Sequence, residues 1–121
     1  MKKMSIAAAL VAALSVAAPA HADLSPNVFR QLSSGSKTDR FGAEMYAGGV
    51  VKGYLNANGY LAAAKQPLLF CYNGDMTTGD AYKLTTQVVN EHLAQKPGDG
   101  NEEIVEVLLL MKLRAKYPCA G

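Results

Sequence analysis

The stretch TTGDAYKLTTQVVNEHL, Thr77 to Leu93, decides the fold class. Thr77, with Asp80 three residues on, resembles a capping box with Asp in place of Glu, in which the threonine hydroxyl accepts from a first-turn amide that has no helical partner. Ala81, Leu84, Val88 and Leu93 then recur at helical spacing, with Tyr82, Thr85 and Val89 beside them. This pattern predicts a helix with one buried face, stopped by Lys96-Pro97-Gly98.

Downstream, Asp99-Gly100 completes a loop and Asn101 is expected to cap a last helix, with Glu102 and Glu103 in its first turn. Lys112, Arg114 and Lys116 suit its C-terminal end, and Pro118 stops it. Between residues 104 and 113 only Glu106 and Lys112 are polar. A helix apolar on nearly all sides must be central in a core or use a second face against another chain, and in so small a domain a homodimer contact is expected.

Upstream, Leu68-Leu69-Phe70-Cys71-Tyr72 is a short apolar segment before the turn-forming Asn73-Gly74-Asp75. Nothing else reads as a strand that could pair with it, so it is expected to be a buried connector. A long helix is predicted from about Thr38 to Ala64, with Phe41, Met45, Val50 or Val51, Tyr54, Leu55 and Leu61 at helical spacings. Its five glycines, Gly42, Gly48, Gly49, Gly53 and Gly59, each cost about 0.5–1 kcal/mol relative to alanine. Either Gly42, Gly49 and Gly53 form a stripe where another helix approaches closely, or the helix breaks near Gly48-Gly49 or at residues 58–60. Ser25-Pro26 opens a short first helix with Val28, Phe29 and Leu32 on one side. The expected fold class is all-α, a small helical domain of about four to five helices over residues 23–121, with one disulfide.

Residues 1–22 have the form of a secretory signal peptide: Lys2 and Lys3, an apolar run from about Ile6 to Ala18, and Pro19-Ala20-His21-Ala22 as cleavage site. The run is too short and alanine-rich for a spanning helix and ends at Pro19. Taking 22 from 121 leaves 99 residues, enough for one modest core. It also removes two of the twelve basic residues, leaving ten against ten acidic. A chain so balanced has no electrostatic footprint for nucleic acid and no basic amphipathic helix for a membrane surface. Export to an oxidising compartment favours a Cys71–Cys119 bridge over free thiols or a bridge between chains. Closing that loop of about 48 residues is worth roughly 4 kcal/mol in the chain-entropy model.

Once the signal is set aside, His92 is the one histidine, and it reads as an exposed helical residue. No Gly-x-Ser-x-Gly, haem-attachment, zinc or phosphate-loop pattern occurs, and the glutamates of the last helix suit a helix N-terminus. The chain is therefore expected not to be an enzyme and to take no metal or cofactor. A small rigid helical surface suits a protein-binding role. Its contact is expected in exposed loops, first Lys96, Gly98, Asp99, Gly100 and Asn101 and second Tyr72 to Thr78. The plainer reading of Pro97-Gly98 is a helix stop facing water.

Taken together, Tyr46 to Gly53, Phe70-Cys71, the Thr77 to Leu93 helix with Val88-Val89, and the ending Leu113 to Tyr117-Pro118-Cys119 resemble the Rap1a/Tai family of type VI secretion immunity proteins. The resemblance spans about residues 42–119. It implies a periplasmic, all-helical, often dimeric protein that blocks a peptidoglycan-cleaving amidase by covering its active-site groove. The chain lacks an early cysteine pair between Leu32 and Met45 and a proline after Phe70-Cys71. The alternative is a small periplasmic stress protein or acid-stress chaperone with no cognate toxin. A third class is an accessory subunit of an envelope complex, suggested by residues 104–113.

Overall fold

The computed structural model describes residues 24–97 and 103–120; the predicted signal peptide lies outside them. The described residues form four α-helices and no strand: α1 (Pro26–Ser33), α2 (Lys37–Ala63), α3 (Thr78–Gln95) and α4 (Val105–Lys116). The all-α fold with one disulfide is thus what the sequence led us to expect. α3 is the hub, packing against α1, α2 and α4, while α1 also lies on α2.

Local chemistry starts the first three helices in the same way. Ser25, Ser36 and Thr77 each hold an extended backbone, and their side-chain oxygens accept from the amides of Val28, Asp39 and Asp80 at 3.3, 3.1 and 3.0 Å. Each bond satisfies one of the amides that a helix start leaves unpaired. α4 differs from expectation. It begins at Val105 with Ile104 in the cap position and no side-chain cap, so the predicted capping role of Asn101 is not realised and Glu106 occupies the first turn. Instead the Val105 amide donates to the Leu24 carbonyl at 2.9 Å, which ties the start of α4 to the segment before α1.

α2 runs unbroken through Gly48-Gly49 and Gly59, which removes the expectation of a break. It ends in a Schellman arrangement: the Gln66 amide donates to the Leu61 carbonyl at 2.8 Å and the Lys65 amide to the Ala62 carbonyl at 3.1 Å. Lys65 takes the left-handed conformation (φ 56°) that glycine usually supplies there. Its buried face is the predicted one in part, since Val51 is buried and Val50, Tyr54 and Leu55 pack against buried residues. Ala43, Ala47, Val51 and Asn58 face the core, while Phe41 and Met45 are 62% and 53% exposed. In α1, Phe29 is buried and Leu32 packs against it as expected, whereas Val28 points outward.

The core has two adjoining parts. Phe29, Ala43, Ala47, Val89, Leu93 and Val105 form one, with Tyr46 and Tyr82 flanking the Phe29 ring at 6.4 and 6.0 Å. Val51, Phe70, Ala81, Leu84, Leu109 and Leu113 form the other, nearer the disulfide. Two tyrosines of α2 reach α4 at Glu106. The Tyr54 hydroxyl donates to its carbonyl at 2.8 Å and the Tyr46 hydroxyl to its carboxylate at 3.2 Å. Burial, and secondarily the Glu106 charge, raise the Tyr54 pKa above the ordinary phenol value, so the hydroxyl keeps its proton and its bond.

Among the described residues the stripe of Gly42, Gly49 and Gly53 receives no other helix: a β-carbon at any of them would meet nothing within 4 Å. The close approach is at Gly48, where a β-carbon would lie 2.9 Å from Cγ2 of Thr78, the first residue of α3.

Candidate partner-binding surface

Between α2 and α3 the chain crosses the surface from Gln66 to Thr77 without regular structure, as expected of a connector. Its first half is tightly held. Phe70 is buried in the core. Asn58, from the inner face of α2, donates through Nδ2 to the Phe70 carbonyl at 2.9 Å and accepts through Oδ1 from the Leu69 amide at 2.7 Å. One side-chain amide thereby does for the connector what a neighbouring strand would do. The Cys71 amide donates to the Tyr117 carbonyl at 2.8 Å, and Cys71 is bonded to Cys119 across a Cα–Cα distance of 4.9 Å. The Tyr72 and Tyr117 rings meet edge to face at 4.7 Å.

The second half stands out from that anchor. Gly74 turns the chain with φ 106°, a conformation that favours glycine. The backbone amides of Asn73 to Met76 make no backbone–backbone hydrogen bond among the described residues. The segment is a ridge between grooves. On one side a groove of about 560 Å³ is lined by Leu55, Asn56 and Gly59 of α2 and by Leu68 and Phe70 to Asp75. On the other, a groove of about 340 Å³ is lined by Tyr72, Met76, Asp80, Lys83, Gln87, Lys116 and Tyr117. Two lysines against one aspartate give this second groove a positive bias, and apolar Tyr72 and Met76 line it. Such a surface offers free backbone donors and acceptors, an aromatic edge and ammonium groups to a protein partner.

Of the sequence-predicted site residues, Cys71 and Cys119 are joined as expected. Lys96 is exposed at the end of α3, whereas Gly98, Asp99, Gly100 and Asn101 lie outside the described residues. Tyr72 to Thr78, the second choice, forms the ridge and its return to α3. Asn58, Lys83 and Lys116 were not foreseen as parts of this surface. Asn58 carried a signal, since it falls seven residues after Val51 on the stripe with Ala43 and Ala47. A polar side chain on a buried stripe marks a backbone that needs a partner.

His92 differs from the exposed residue expected: it is half-buried, and its Nε2 is enclosed without a hydrogen-bond partner among the described residues. Among the described residues no group of three or more His, Cys, Asp or Glu side chains could hold a metal ion, and no helix is long and apolar enough to cross a membrane. No protein-family model, curated protein or solved structure matches the chain.

Proposed function

We propose that the chain is an exported periplasmic binding protein of the immunity type, which docks on a peptidoglycan-cleaving amidase and blocks its groove without chemistry of its own. One observation carries this reading. Phe70-Cys71 and Tyr117-Pro118-Cys119, the most specific parts of the resemblance and far apart in sequence, form a single covalent and hydrogen-bonded unit beneath the ridge. The disulfide suits an oxidising compartment, and a ridge anchored at its base loses little further freedom on binding. Contact runs through Tyr72 to Met76 and the Lys83–Lys116 groove, with the loop that starts at Lys96 as a second element.

The test starts at the neighbouring genes, where an exported amidase is expected, and measures inhibition of that enzyme. The purified chain should abolish cleavage of peptidoglycan at a stoichiometric ratio, and Tyr72→Ala with Lys83→Glu should weaken the inhibition by about tenfold or more. An amidase that keeps full activity in excess chain would overturn the reading. Undiminished inhibition by the double variant would move the contact to the Lys96 loop.

A further inference from the structure

The sequence contains two Asn-Gly pairs, and the fold puts them in opposite situations. Asn58-Gly59 lies inside α2. Its asparagine is buried with Oδ1 and Nδ2 both engaged by the connector, and the Gly59 amide belongs to the helical hydrogen-bond ladder. Asn73-Gly74 lies on the ridge, where both residues are exposed. Among the described residues the Asn73 side chain has no hydrogen-bond partner, and the Gly74 amide donates to neither backbone nor side chain. Gly74 also has no side chain to shield its nitrogen, and with φ 106° it stands outside helix and strand geometry.

We propose that Asn73 is a site of spontaneous modification, at which the chain converts its own asparagine to aspartate or isoaspartate through a cyclic imide. The Gly74 nitrogen, its proton passed to water, bonds to Cγ of Asn73, and the Cγ–Nδ2 bond breaks as ammonia leaves with a proton. The product is a five-membered succinimide. Water then adds to one of its two carbonyls and the ring opens. Opening at Cγ leaves aspartate in the ordinary chain, and opening at the main-chain carbonyl leaves isoaspartate, with the chain routed through Cβ and Cγ. Water enters, ammonia leaves, and no oxidant or reductant is needed. Asparagine is a thermolabile side chain, and this reaction asks for a carboxamide free to turn and an amide nitrogen free to meet it. The ridge supplies both. At Asn58 the helix withholds both, so reaction there waits on local opening of α2. Each conversion exchanges a neutral amide for a carboxylate close to the exposed Asp75, on a segment whose amides make no backbone hydrogen bond. The surface charge therefore changes while the four helices stay as they are. The site lies on the ridge assigned above to partner contact, but this chemistry does not depend on the amidase reading.

The test ages the purified, oxidised chain in warm neutral buffer, then reduces, alkylates and digests it with trypsin for mass spectrometry. Asn73 is the one asparagine of peptide 66–83, whereas Asn58 falls in peptide 53–65. Peptide 66–83 should gain the mass difference between OH and NH2 and split into two chromatographic forms, one of them a substrate for protein isoaspartyl methyltransferase. Its conversion should run about tenfold or more faster than that of peptide 53–65. In guanidinium chloride, where α2 no longer protects Asn58, the two should convert at similar rates. Asn73→Gln should stay unmodified, because its longer side chain would have to close a less favoured six-membered ring, and should keep the melting temperature of the parent. A folded chain whose peptide 66–83 stays unchanged while the denatured chain converts overturns the inference, as does equal conversion of the two peptides in the folded chain.

Discussion

The two faces of α2 are made of similar material and meet different fates. The inner face is mostly small: Ala43 and Ala47 let α1 and α3 come near, Val51 enters the second core, and Asn58 ends the row by gripping the connector. The outer face holds large side chains as well, Phe41, Met45 and Tyr60, separated by open glycines. Size and hydropathy thus do not decide which side of this helix is buried. The sides are assigned by what the rest of the chain needs beside it: room for α3 at Gly48, and a hydrogen-bond partner for the connector at Asn58.

The largest expected effect comes from releasing the structure on which the inner face ends. Reducing the Cys71–Cys119 bridge should lower stability by about 4 kcal/mol, read as a shift of the urea midpoint between reduced and oxidised protein. Asn58→Ala should cost about 2–4 kcal/mol, because the Leu69 amide and Phe70 carbonyl both lose their partner. A cost near zero would mean that the connector holds without the inner face.

Adjacent glycines sharpen the comparison at smaller scale. Gly48→Ala should destabilise by about 1 kcal/mol, since the new methyl must displace Thr78. In dilute solution Gly49→Ala should stabilise by about 0.5–1 kcal/mol, because it adds helix propensity in open space. Chemical denaturation of both variants checks the sign.

The smallest effect lies away from α2. Hydrogen bonds from Gln87 and then Lys112 hold the Glu91 carboxyl below its ordinary pKa. Its contribution is therefore present at neutral pH and fades as acid protonates the carboxyl. Glu91→Gln should remove that dependence, so that variant and parent differ at neutral pH and converge in acid.

The history of these helices in the sequence explains what could be read there. α3 was legible in full because its cap, its stripe and its stop agree with one another. α2 was legible as a helix and in part in its orientation: Val51, Tyr54 and Leu55 turn inward as read, while Phe41 and Met45 do not. Periodicity picks out large apolar residues, and the core selected alanines three and four turns from the connector anchor. The disulfide followed from two cysteines and the expectation of export. The ridge was visible only as turn residues, because the anchor beneath it is made by contacts with Asn58, Tyr117 and Cys119, all distant in sequence. The start of α4 was misplaced because Asn101 and the glutamates after it form a strong local signal, while the Leu24 carbonyl that receives Val105 carries none.

The Cys71–Cys119 bond also closes a covalent ring that contains the whole of α3 and α4 and leaves α1 and α2 outside it. A protease that cuts the chain once anywhere between Thr78 and Lys116 cannot release a fragment. Both pieces stay tethered through sulfur, held against the same core, and the nick shows only when a reductant separates two bands on a gel. A cut within α2 has no such safeguard, so the long helix with the open outer face is also the one whose backbone must remain whole.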